Sequence, residues 1–199
     1  MDIKAPFLPV DRVRQIADSF LDTHHVDRRI PAPIEQIIEF DFGISIIPIP
    51  GILKSYDVDA SISSDLSTIY VDESIYLTRE RRYRFSIAHE LAHCVLHAEI
   101  FMQLRFDSIA EWKRIVSAIP ERQYGFIEQQ AYNFAGLVLV PSNRLKDEFD
   151  RADDEAAAAG IELRDLDERG RRSIEDSIGR AFNVSGEVIR RRLKRDGRW

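Results

Sequence analysis

Between Thr78 and about residue 98, Phe85, Ala88, Leu91, Ala92, Val95 and Leu96 recur three and four residues apart, which lays a single apolar stripe along a helix. Such a stripe has to be covered by other elements, so the segment is committed to the interior, with Thr78 as its expected N-cap. Within it stand His89, Glu90 and His93, polar groups that cost free energy to bury unless something satisfies them. Whatever this chain folds into must cover that helix and find partners for those three side chains.

The remaining patterns supply the cover. Val10, Val13, Ile16, Ala17, Phe20 and Leu21 predict an amphipathic helix over 10–24, and Ile34, Ile37 and Ile38 a short one over 33–41, with Gly43 as its stop. The β-branched "ISIIPIP" reads as a strand. "ASISSDLSTIYV" reads as one or two strands around a polar turn at Ser63–Asp65. Further helices are predicted within 108–119 and over 126–140, 142–159, 172–182 and 186–195, the last capped by Ser185. There is no internal repeat. The expected class is α+β, a small twisted sheet packed against helices, followed by a helical C-terminal segment. The expected division is an N-terminal helix in 1–29, a central domain over 30–160, and a C-terminal segment over 161–199 that could form a helix-turn-helix.

Composition narrows the setting. At 199 residues, with 44% hydrophobic and 31% charged side chains, the chain can bury a core without staples. Cys94 is its one cysteine, so no internal disulfide forms. No apolar run is long enough for a membrane span, and the first residues show no signal-peptide pattern, so a cytoplasmic location is expected. The net charge of −6 does not suit a dedicated nucleic-acid binder. It is unevenly spread: residues 144–168 hold four basic and ten acidic side chains, residues 169–199 ten basic and four acidic. Two solvated helical faces of opposite sign account for this. A basic tail meeting an acidic partner, or making weak nucleic-acid contact, is the sharper reading.

"FSIAHELAHCVLH" contains H-E-x-x-H at positions 89–93. Four residues apart on a helix, His89 and His93 share a face one turn apart and can bind one zinc ion from the same side. Glu90, one step round, suits a water on the metal better than the metal itself. Zinc lowers the pKa of bound water to about 7, and a carboxylate can take that proton and pass it to a leaving amine. A third ligand is needed. His97 continues the spacing but, eight residues of helix on, lies about 12 Å from His89 along the axis. Glu99 occupies a metzincin-like position without the glycine that turns the chain there, since residue 96 is Leu96. Glu128 sits at the edge of the apolar face formed by Ile127, Ala131, Phe134, Ala135 and Val138, where small residues would let its helix come close. It is either a ligand or an exposed glutamate favoured by a helix N-terminus.

These motifs resemble a known family. "RFSIAHELAHCVLH", then "EQQAYNFAGLVLVP", then "AFNVSGEVIRRRL" are similar to the paired metal helices and closing segment of the ImmA/IrrE zinc metallopeptidases, over about residues 30–195. The resemblance implies zinc held by His89, His93 and Glu128, Glu90 as general base, and a gluzincin-like fold. It implies site-specific cleavage of a partner protein, a helix-turn-helix repressor, in a stress or mobile-element response. Ala92, Gln130 and Val140 depart from commoner family residues without removing a ligand.

Tyr83, Tyr124 and Tyr132 are candidates to stabilise the oxyanion. Tyr132, four residues after Glu128, is the expected one, against the plainer role of a packed core tyrosine. "STIYVD" at 67–72 is expected to offer a sheet edge to an extended peptide. Cys94 points away from the histidine face and reads as a small core residue. The alternative to an enzyme is a protein- or DNA-binding regulator, of toxin–antitoxin or helix-turn-helix type, with a structural or vestigial metal site.

Overall fold

The computed structural model describes residues 7–199, so the first six positions of the expected N-terminal segment lie outside it. Helix α1 (Val10–His24) buries Val13, Ala17, Phe20 and Leu21, the face its periodicity predicts. Helix α2 (Ile34–Gln36) runs on as a wider π turn over Ile37–Asp41. It stops at Gly43, whose φ of +64° is open to glycine at little cost. Strand β1 (Ser45–Ile49), helix α3 (Ile52–Tyr56) and strands β2 (Ala60–Ile62) and β3 (Thr68–Asp72) follow. Then come helices α4 (Glu73–Thr78), α5 (Glu80–Leu104), α6 (Ile109–Ser117), α7 (Glu121–Leu139), α8 (Ser142–Ala158), α9 (Glu168–Phe182) and α10 (Gly186–Arg195). The fold is α+β, as expected.

The sheet order is β1-β3-β2. β1 runs parallel to β3, pairing Ser45 with Thr68 and Ile49 with Asp72, and β2 runs antiparallel to it, pairing Ala60 with Val71 and Ile62 with Ile69. The turn at Ser63–Asp65 does separate two strands. Helix α5 lies between this sheet and α7, and its interface with α7 is the most extensive between helices among the described residues. Ala131, Ala135 and Gly136 are buried on α7, and their small size permits that approach. Phe134 is fully buried and meets Phe20 of α1 edge-on at 5.4 Å, so removing its ring would cost about 3–5 kcal/mol. One apolar cluster continues from Val13 in α1 to Leu193 in α10.

Local chemistry moves several predicted boundaries. Thr78 does not cap the histidine helix. Asp72 instead accepts the Ser74 N–H and starts α4, Thr78 ends it with its hydroxyl on the Ser74 carbonyl, and the chain breaks at Arg79 before α5 begins. Ser185 stands at the N-cap of α10 without a side-chain cap hydrogen bond. Helix α7 begins at Glu121, directly after Pro120, five residues before the predicted start. Helix α3 was not predicted; five residues are too few to show a helical period.

Candidate metal centre

His89 and His93 project from α5 one turn apart, with their Nε2 atoms 3.3 Å from each other. Glu128, from the first half of α7, brings Oε2 to 3.1 Å from His89 Nε2 and Oε1 to 3.7 Å from His93 Nε2. Two donors each bound at about 2.0–2.1 Å to a tetrahedral zinc ion lie about 3.3 Å apart. The two nitrogens, and His89 Nε2 with Glu128 Oε2, therefore have the spacing of such a pair, while the Glu128 oxygen nearer His93 is the other one, Oε1. A second grouping, His89, Glu90 and His93, has its donor atoms within 4.8 Å of one another. In it Glu90 is already engaged: its Oε2 accepts the Ile62 N–H of β2 at 2.9 Å. Glu128 is the better third donor. Glu99 is exposed, beyond the break in α5 at His97, where φ is −132° and ψ is 17°.

Burial and charge oppose each other here. Burial disfavours a charge on His89, but the hydrogen bond and negative charge of Glu128 outweigh it and leave the imidazole pKa raised. His93 has no such carboxylate bond, and burial, with His89 and His97 beside it, drives its pKa well down, so it is neutral. Burial pushes Glu90 up to about 8, against the pull of His89. A half-buried carboxylate, a buried carboxyl group held protonated by burial and a neutral imidazole make a site that a divalent cation would relieve, since its charge favours both carboxylates. The cluster opens through His89 and Glu128, with 18% and 33% of their side chains exposed, into a cleft of about 310 Å³. Tyr124 lines that cleft beside Glu128; burial, then the Glu128 charge, raises its pKa.

The family model for the IrrE N-terminal-like domain, Peptidase_M78, matches residues 41–194. The chain belongs to this family. It is a family of zinc metallopeptidase-like domains, in keeping with the donor set. Among solved structures, a Mycobacterium tuberculosis transcriptional regulator shares the fold of this IrrE-like chain, with a TM-score of 0.53 and 18% identity. The match covers 92% of this chain and 46% of that one, so the IrrE-like chain spans less than half of the regulator's length. A comparison with curated proteins finds no match.

The structure of the IrrE-like domain redistributes several expected roles. Tyr132 does not reach the metal cleft. Its ring packs on Phe85 at 4.8 Å beneath the Arg191 guanidinium and lines a neighbouring cleft of about 650 Å³. Tyr124, one turn before Glu128 rather than one turn after, is the tyrosine that lines the metal cleft. Tyr83 donates to Glu35 at 2.7 Å, away from the donors. The segment 67–72 is not a sheet edge, because β3 is paired on both sides. The edge beside the metal cleft is β2, and Ala60 lines it. Alternation in the β2–β3 ladder turns the backbone groups of Ala60 and Ile62 away from β3, and Glu90 takes the Ile62 N–H. His97 is 1% exposed and meets His93 on the side away from Glu128, so it is not a third ligand. Cys94 donates its thiol towards the Glu90 carbonyl and is not a ligand.

The basic tail is largely occupied within the fold. Arg190 pairs with the buried Glu175, Arg191 pairs with Glu187, and Arg192 is buried among the carbonyls that end α7. Helix α10 turns Val188, Ile189 and Leu193 inward. Among the described residues no helix is long and apolar enough to cross a membrane.

Proposed function

We propose that this chain is a zinc-dependent endopeptidase that cleaves a protein partner in the cytoplasm, the first candidate being a helix-turn-helix repressor of a stress or mobile-element response. The observation that carries this is the meeting of His89, His93 and the Glu128 carboxylate, 3.1 to 3.7 Å apart, at a cleft with Glu90 tethered beside it. His89, His93 and Glu128 would hold the ion. Bound zinc supplies Lewis acidity, which acidifies water and polarises a carbonyl. A bound cation would draw the raised Glu90 pKa down and leave a carboxylate whose Oε1 can accept a proton, while Oε2 stays fixed by Ile62. Glu90 then returns that proton to the departing amine. Tyr124 directs a hydroxyl into the same cleft, where it can stabilise charge developing on a carbonyl oxygen.

A polypeptide suits this site better than a small molecule. The metal cleft is bordered by Ala60 of β2 and adjoins the larger cleft across Phe85, so two adjoining clefts are available to a chain longer than a small molecule. The repressor partner rests on family membership. The regulator-like reading draws less from the tail, because Arg190 pairs with buried Glu175, Arg192 is buried and α10 packs inward, while Arg191 stays at the surface. The test is incubation of the protein with a repressor encoded next to it, comparing wild type with Glu90→Gln. Zinc-dependent cleavage by the wild type alone is expected; equal cleavage by both would remove Glu90 from the chemistry.

A further inference from the structure

Behind the metal cluster a third histidine is arranged in a way the proposed reaction does not require. Helix α5 loses regular geometry at His97, and the ring lies between α5 and α7. Its Nδ1 is 3.1 Å from His93 Nδ1, and its Nε2 is 2.9 Å from Gln130 Oε1 on α7. The three side chains form a line pointing away from His89 and Glu128.

A neutral imidazole carries one N–H. Two nitrogens facing each other at 3.1 Å share one proton, and there are two ways to place it. If His93 donates from Nδ1, its Nε2 keeps a lone pair; His97 accepts at Nδ1, carries its own proton on Nε2 and donates to Gln130 Oε1. If His97 donates from Nδ1 instead, His93 must carry its proton on Nε2, the atom that faces His89 and Glu128, and can bind no cation there. In that second arrangement the bare Nε2 of His97 would face the Gln130 oxygen at 2.9 Å, lone pair against lone pair. Gln130 would have to turn its amide to present N–H. The orientation of one amide thus selects between a metal-competent and a metal-incompetent histidine two side chains away.

We propose that His97 and Gln130 are positioning residues which hold His93 as its Nδ1–H tautomer, so that Nε2 keeps its lone pair for a divalent metal. The consequence for metal binding rests on the zinc reading above; the tautomer assignment does not. Residues that fix the orientation and tautomer of a metal-bound histidine are generally worth about 10–100-fold in metal affinity. Here the break in α5 is what lets His97 serve: it places the ring of the residue four positions on against Nδ1 rather than at the metal.

The test has two arms. In metal-free protein with ¹⁵N-labelled histidine, long-range ¹H–¹⁵N spectra report which nitrogen of each ring is protonated. Nδ1–H at His93 and Nε2–H at His97 are expected in the wild type, with mixed tautomers at His97 in Gln130→Met. In the second arm, zinc affinity is measured by competition with a chelator. His97→Leu should bind about 10–100-fold more weakly, and His97→Asn, whose Oδ1 stands where Nδ1 was, should recover most of the loss. A role in packing alone would favour leucine over asparagine. The proposal is overturned if wild-type His93 is mainly Nε2–H, or if the leucine variant binds zinc like the wild type. Should Gln130→Met or His97→Leu fail to fold, the wild-type tautomers decide. Correct tautomers in a protein that takes up no zinc would instead sink the metal reading and leave the tautomer assignment standing.

Discussion

Replacing Arg192 by methionine should destabilise the whole domain, although the sequence presents this residue as one of three consecutive surface arginines. Its side chain is 2% exposed. Nη1 donates to the carbonyls of Gly136, at 2.9 Å, and Val140, while Nη2 donates to Ser142 Oγ at 3.0 Å and Asp196 at 3.4 Å. The Gly136 carbonyl already accepts the Val140 N–H, and Pro141, with no N–H, ends the helix there, so Arg192 adds a second donor to Gly136 and supplies one to Val140. A cation at a helix C-terminus is also favoured by the helix dipole. Burial lowers the guanidinium pKa to about 10, which still leaves it charged at neutral pH. Hydrogen bonds to a charged group are worth about 1.5–3 kcal/mol each but do not add, and breaking a buried charged cluster typically costs about 3–5 kcal/mol. Methionine restores the volume and none of the donors. A loss of about 3–5 kcal/mol in a domain of this size lowers the melting temperature by about 6–20 °C. Urea unfolding followed by circular dichroism measures it, with Arg191→Met as the exposed control, expected to lose less than about 1 kcal/mol. If the two variants unfold together, the buried fork is not what holds the end of α7. It also follows that reversing the charge of Arg190, Arg191 and Arg192 together would test folding, not partner docking.

Glu128→Ala should weaken zinc binding by more than about 100-fold, since it removes a ligand and not merely a ligand's support; full zinc retention at low free metal would move the third ligand elsewhere. Tyr124→Phe should lower kcat for partner cleavage by about 100- to 1,000-fold with zinc content unchanged, and Tyr132→Phe should not; the reverse ranking in a cleavage time course would restore the tyrosine nearer the tail. Asp72→Asn tests pH linkage. Burial would raise the Asp72 pKa, but bonds from Ser74 and from the Leu53 N–H overcome it and leave it below 3.8. A depressed carboxylate contributes stability above its unfolded pKa of about 3.9 and loses it as pH falls through the folded value. The variant should therefore be less stable by about 1–2 kcal/mol at pH 7, with the gap in urea midpoints closing below about pH 4. A gap independent of pH would show that the Asp72 charge plays no part.

Much of this architecture was legible because it is local. Helices α1, α5, α7 and α10 announce themselves by period, Gly43 marks the stop after α2 and its π turn, and Pro141 marks the end of α7. Elements whose signals are short or borrowed were not legible. Helix α3 has too few residues to be periodic, and α4 depends on Asp72, a strand residue that doubles as a cap. The turn at Ser63–Asp65 could be read, but not that β3 would be covered on both sides, because strand order depends on partners distant in sequence.

The candidate site divides in the same way. That His89 and His93 share a face with Glu90 beside them follows from helix geometry alone, and any fold that keeps the helix keeps that arrangement. Which acid completes the set does not: Glu99 and Glu128 are both available in sequence, and only the packing of α7 on α5 brings one of them to 3.1 Å. Tyr124 and Tyr132 flank Glu128 at the same spacing, one turn to either side, so periodicity cannot rank them. The direction in which α7 crosses the cleft does. His97 looked too far along a regular helix to matter, and the distortion of α5 at that residue sets it behind His93. Arg192 reads as one more charge in a solvated run until α10 docks on the end of α7 and turns it inward. Spacing along one helix is a local, nearly rigid property that residues dictate directly. The meeting of two helices depends on how their surfaces pack over the entire core, and so it was decided only in the folded molecule.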